Sequence, residues 1–218
     1  MRSRALSLLV LLTTLTACGG SGSGDQTPST AASVATAEPT VTHTQAATPA
    51  AEPFTPQPLP PGVEPAPADI NFAQMMIGHH MQALDLVDLA RQHSDNEELL
   101  ALADEIEAAQ GPEIEQMSWW VAQDWGYEVL DPADHEDHVM PGMMTRDELT
   151  HLATLTGAEF DQAWLEGMIF HHQGAIDMAN DELAAGTVPQ VREMAQEVIA
   201  VQQGEIDRMR IMISELPS

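Results

Sequence analysis

The chain has 218 residues, 34 of them acidic and only seven basic, giving a formal net charge of −27. Such acidity excludes nucleic acid and anionic membrane surfaces as electrostatic partners, since both need a basic face; it favours solubility and attracts cations. A single cysteine excludes an internal disulfide, and the length allows one domain with appendages.

Arg2 and Arg4 precede an apolar run at 5–16 that is too short to span a bilayer. It ends in Leu15-Thr16-Ala17-Cys18-Gly19, which resembles the lipobox of bacterial lipoproteins. Residues 1–18 are therefore expected to be a lipoprotein signal peptide. Acylated Cys18 would anchor the chain to the membrane by lipid, outside the cytoplasm. The alternative is an ordinary secretory signal with an incidental cysteine. In either case the folded part has no thiolate to offer, and a metal site would be built from His, Met, carboxylate or amide groups.

Residues 19–68 are rich in Gly, Ser, Thr, Ala and Pro, with ten of the 15 prolines between positions 28 and 67. This composition predicts a disordered, partly polyproline tether.

From residue 69 the pattern turns helical. Asp69 or Asn71 can cap a first helix whose apolar stripe is Phe72, Met76, Leu84, Val87 and Ala90. Ser94-Asp95-Asn96-Glu97 reads as a capping box for a second helix, with Gly111-Pro112 inside it as the expected kink or bulge. Thr145-Arg146-Asp147-Glu148 caps a short helix. Thr156-Gly157-Ala158-Glu159 opens a third long helix, which ends at Gly186 as a C-terminal glycine. Thr187-Val188-Pro189-Gln190 starts a fourth that runs to about Leu216. Two helical hairpins, 69–126 and 157–216, are joined by a long crossover at 127–156. A bundle of this kind is all-α and ferritin-like, filling 69–218.

The hairpins repeat each other. Residues 72–121 align without a gap to 164–213, and 13 of these 50 positions are identical. Met76-Ile77-Gly78-His79-His80 returns as Met168-Ile169-Phe170-His171-His172. Gln110, Glu113 and Met117 return as Gln202, Glu205 and Met209. Self-similarity at a fixed offset marks a duplicated unit and implies a pseudo-twofold axis. Helical spacing turns at least one His of each pair, and both glutamates, toward the interior. Burying such groups unpaired costs several kcal/mol, so they need partners.

Two readings fit. One is a structural layer in which each His bonds a Glu. The other is a metal site formed by Met76, His79, His80, Glu113, Met117, Met168, His171, His172, Glu205 and Met209. Asp85, Gln110, Asp177 and Gln202 would then support the ligands. Imidazole with thioether suits copper, above all Cu(I); imidazole and carboxylate would also take another transition metal. In the crossover, His135-x-x-His138 with Met140, Met143 and Met144 is a candidate accessory copper site. The alternative there is a lid of packed methionines beside a solvated acidic run.

The stretches 72–80, Met140-Pro141-Gly142-Met143, 160–179 and Gln202-Gln203-Gly204-Glu205-Ile206-Asp207-Arg208-Met209 resemble the DUF305 family of secreted and periplasmic bacterial proteins. That resemblance covers the whole folded domain. It implies a ferritin-like fold and, from copper-binding members implicated in copper tolerance, copper binding. A surface-anchored copper protein that sequesters or hands over the ion is the leading expectation. The alternatives are a ferritin-like redox enzyme with a dinuclear centre and a non-catalytic structural envelope lipoprotein. No catalytic nucleophile–base–acid set is apparent. The sequence specifies no protein partner, and a homo-oligomer is compatible with it.

Overall fold

The computed structural model describes residues 54–130 and 140–217. Cys18, the tether up to residue 53, and His135 and His138 lie outside the described residues. Those described form helices and no strand. Helix α1 spans Pro67–His93. Helix α2 spans Glu97–Trp119 and passes into a π-helical turn, Trp120–Asp124. The short α3 spans Arg146–Leu152, α4 Gly157–Ala185 and α5 Pro189–Glu215. Helix α1 packs on α2, α4 packs on α5, and the two hairpins meet chiefly through α1 and α4. The expected bundle of two hairpins is what forms.

Helix α1 starts earlier than expected, with Ala66 as its cap and Pro67 in its first turn. Asp69 is thus inside the helix and buried. It accepts from Ala66 N at 2.6 Å, and from Thr187 N and Val188 N of the α4–α5 turn at 3.0 and 2.9 Å. Burial pushes the Asp69 carboxyl up; the bonds from Val188, Ala66, Glu182 and Thr187 outweigh it and hold the carboxyl below its ordinary value. Burial, the hydrogen bond to Asp69 and the Asp69 charge push the neighbouring Glu182 up to about 8. At neutral pH Glu182 therefore holds a proton that it shares with Asp69.

Gly186 ends α4 at φ −70, not in the left-handed conformation expected of a terminal glycine. The reason for glycine is space, since a Cβ there would lie 1.7 Å from Glu182 Oε1.

Other helix ends also differ in detail from the sequence reading. Asn96, not Ser94, caps α2, accepting from Glu98 N at 3.1 Å and Leu99 N at 3.3 Å. Ser94 Oγ instead donates to Asp161 on α4 at 2.6 Å. The backbone stays α-helical through Gly111-Pro112, and the departure from α geometry comes at the π turn. Thr145 and Glu148 do form their capping box, whereas Thr156 makes no side-chain cap bond.

Residues 54–66, expected in the tether, pack on the end of α2. Gln57 and Gln116 exchange two bonds: Gln57 N to Gln116 Oε1 at 2.7 Å, and Gln116 Nε2 to Gln57 O at 2.9 Å. Leu59 is buried, and its N–H donates to Asp124 Oδ2 at 2.9 Å. A proline-rich extended segment cannot satisfy its own backbone, so side chains of the bundle do so.

The core is two apolar clusters. One contains Leu86, Leu99, Leu102, Ile106, Trp164, Met168, Ile206 and Met209. The other contains Phe72, Met76, Ile77, Met117, Val121, Val191 and Val198. Leu86, not the half-buried Leu84, carries the α1 stripe toward α2.

Candidate metal centre

A polar layer separates the two clusters. On each long helix the apolar residues of one cluster give way to polar side chains before those of the other begin. His79 and His80 occupy the gap on α1, Gln110 and Glu113 that on α2, His171 and His172 that on α4, and Gln202 and Glu205 that on α5. Helix α1 runs between the clusters in the sense opposite to α4, as a pseudo-twofold axis between the hairpins requires.

All four imidazoles are fully buried, so both histidines of each pair face inward. Their rings are about 100° apart on a helix and serve different contacts. His80 Nε2 lies 2.7 Å from Glu113 Oε2, and His172 Nε2 lies 2.7 Å from Glu205 Oε2. These are equivalent pairs, one in each hairpin. Across the hairpins the rings of His79 and His171 meet at 3.8 Å between centroids, tilted by 36°. His79 Nε2 lies 3.0 Å from Pro141 O, and His171 Nε2 lies 3.0 Å from His79 O.

Every Nε2 in the layer faces an oxygen that can only accept. In the neutral ring Nε2 must then carry the hydrogen, which leaves Nδ1 with a free lone pair. Nδ1 of His79, His80, His171 and His172 is in each case buried without a hydrogen-bond partner. Burial and the neighbouring His80 push His79 down to about 3, although the bond to Pro141 works in the other direction. Burial, then the charges of His79, His172 and His80, push His171 well below the usual histidine range. Both rings are neutral at physiological pH. The layer thus holds four buried Nδ1 atoms without a partner, each in a ring oriented by an acceptor behind it, and those of His79 and His171 carry free lone pairs. Metal-bound histidines are held in the same way, with the non-ligating N–H given to a carboxylate or carbonyl. Among the described residues no three His, Asp or Glu side chains already converge as a complete metal cage.

The methionines expected beside the histidines are fully buried. Met76 and Met117 lie in one apolar cluster, and Met168 and Met209 in the other. They flank the polar layer above and below. Glu113 and Glu205 are each committed to one histidine, with side chains 20% and 12% exposed. Gln110 and Gln202 are buried in the layer, and neither Gln110 amide atom nor Gln202 Oε1 has a partner. Asp85 and Asp177 are on exposed helix faces, away from the buried layer.

Sequence reasoning missed the backbone partners of the layer. The segment 140–144 lies across α1 and α4, with Met140 buried and Met143 and Met144 half-buried. Gln82 and Met144 exchange two bonds, at 2.9 and 2.7 Å. Gln74 does the same with Glu128 O at 2.7 Å and Leu130 N at 3.1 Å. Gly142, at φ +79, seats on Gly174, where a Cβ would lie 2.0 Å from Pro141 O. The Pro-Gly pair of the crossover and Gly174 within a helix are the signals that could have pointed to this close approach.

Comparison with known proteins places these features in a family. The model of a domain of unknown function, DUF305, matches residues 69–213. A DUF305 fragment from Deinococcus radiodurans is similar in structure, with a TM-score of 0.64 and 32% identity, over 71% of this chain and 100% of that one. A candidate secreted DUF305 protein from Streptomyces coelicolor has a TM-score of 0.62 and 30% identity, over 68% of this chain and 93% of its own. CopM in its Cu(II)-bound form has a TM-score of 0.59 and 31% identity, over 67% of this chain and 96% of its own. CopM is also known bound to Cu(I) and to silver. No curated protein matches the chain.

Proposed function

Since the chain belongs to the DUF305 family, we propose that its buried histidine layer binds copper, and that the protein sequesters or hands over the ion outside the cytoplasm. The observation that carries this reading is the set of four partnerless Nδ1 atoms. A purely structural layer accounts for the Nε2 bonds but leaves four buried ring nitrogens unsatisfied. Each costs about 1–3 kcal/mol, a large total against the 5–15 kcal/mol stability of a typical domain. A bound cation removes that cost. His80 and His172, backed by Glu113 and Glu205, are the strongest ligands; His79 and His171 stand next to them. Soft thioethers of Met76, Met117, Met168 and Met209 flank the layer and favour copper over harder ions.

A di-iron oxidase would need further carboxylates in this layer, and the two that the described residues place there are already bonded to histidine. We accordingly read the protein as a binding protein and not an enzyme. Similarity to a candidate secreted protein supports a place outside the cytoplasm, and no helix among the described residues is long and apolar enough to cross a membrane. Cys18 is the proposed point of lipid attachment, and residues 19–53 the proposed tether. Met140, Met143 and Met144, with His135 and His138, remain a proposed accessory site.

The test is a copper titration of the purified chain with and without His80→Ala and His172→Ala together. The wild type should bind copper with micromolar or better affinity and gain thermal stability, and the double variant should lose both effects while staying helical. A wild type that neither binds copper nor gains stability from it would overturn the proposal.

A further inference from the structure

A cavity of about 310 Å³ lies between the first half of α1 and the last turns of α4, outside the histidine layer. Asn71, Phe72 and Met75 line it from α1, and Met178, Asp181 and Glu182 from α4. Met178 and Glu182 are one turn apart and present one face, as do Asn71 and Met75. Glu182 is only 2% exposed, and no protein N–H or neutral hydroxyl serves either of its oxygens. Its polar neighbour is Asp69, with which it shares its proton, and the charge of Arg192 also acts on it. A cation entering the cavity would displace the proton that Glu182 holds at neutral pH and take the carboxylate as a ligand. The two half-buried methionines add thioethers, which ignore hard cations and bind soft monovalent ones.

The cavity belongs to the same seam as the layer. At about 100° per residue, Met75 lies within roughly 40° of His79 around α1, and Met178 within roughly 20° of His171 around α4. Along the helix axes the separations are only about 6 and 10 Å.

We propose that this cavity is a second soft-metal site, in which the thioethers of Met75 and Met178 and the carboxylate of Glu182 hold Cu(I) in passage to or from the histidine layer. The transfer role rests on the copper reading of the layer; the ligand set does not. Methionine is flexible enough to close on an ion in a cavity of this size.

The experiment uses the full chain with methionine ε-methyl groups labelled with carbon-13 and Ag(I) as a redox-inert stand-in for Cu(I). The Met75 and Met178 signals are identified through Met75→Leu and Met178→Leu, which conserve volume. Both signals should shift on Ag(I) addition, in the wild type and equally in His80→Ala/His172→Ala. Glu182→Gln should weaken that response about tenfold. Signals from Met76, Met117, Met168 and Met209 that move while Met75 and Met178 stay still would overturn the cavity site and leave the layer standing. Shifts at Met75 and Met178 with no binding at the layer would support the site and remove its transfer role. No shift anywhere would overturn both.

Discussion

His80 and His172 show how two side chains divide the work of a site. The glutamate behind each ring fixes which nitrogen carries the hydrogen, and the nitrogen in front is left free. The pairing of His with Glu was legible in the repeat, because Glu113 and Glu205 recur at the same offset from their histidines. The backbone acceptors of His79 and His171 were not legible, since a carbonyl has no sequence signature. Glu182 escaped notice for a related reason: it is one of many acidic residues, and only its contact with Asp69 makes it unusual.

That contact has a measurable consequence. The folded-state pKa of Glu182 is raised to about 8 from an ordinary 4.5, so the native chain holds a proton there that the unfolded chain has released. Stability from this group is full below pH 4.5 and is lost as the pH rises through 8. In the metal-free protein, Glu182→Gln should flatten the stability profile over this range, by about 1–2 kcal/mol or a few degrees in Tm. Thermal melts at pH 5 and pH 8 check it. An unchanged pH dependence in the variant would contradict the assigned proton.

At the scale of elements, the site depends on a loop pressed into a seam between two helices. Gly174 lets Pro141 approach α4, and Pro141 in turn supplies the acceptor for His79. Gly174→Ala would place a Cβ 2.0 Å from a backbone oxygen that cannot swing away. It should cost about 1–3 kcal/mol and weaken copper binding along with stability. A Cβ at Gly204, in the body of α5, would meet nothing within 4 Å. Gly204→Ala should be neutral or stabilising by up to about 1 kcal/mol. Chemical denaturation of the two variants tests the contrast, and equal effects would show that the seam is not tight.

The helices themselves were legible from stripes and caps, and their ends less so. Asn96 took the cap from Ser94 because Ser94 had a partner on another helix, Asp161. Tertiary contacts decided that competition, and local spacing could not show it.

At the scale of the molecule, one short motif recurs in the sequence, and the histidines of both copies reach the same buried layer. A single hairpin offers two histidines and one glutamate to the layer; the second brings His171 against His79. The architecture was readable from the repeat offset and the single long crossover. The boundary was less readable: proline content marked residues 54–66 as tether, yet their backbone is taken up by Gln116, Trp120 and Asp124 of the bundle. With a net charge of −27, the chain draws cations toward its surface without distinguishing them. On the proposed copper reading, selection falls to the interior, where imidazole and thioether are concentrated. The most direct measurement of that claim is nitrogen-15 NMR of the histidine side chains, metal-free and loaded with diamagnetic Cu(I). Coordination should move the Nδ1 resonances of His80 and His172 most strongly, while their Nε2 atoms keep hydrogens bonded to Glu113 and Glu205. Unchanged Nδ1 resonances in the copper-treated protein, or coordination through Nε2 with the glutamates released, would contradict it.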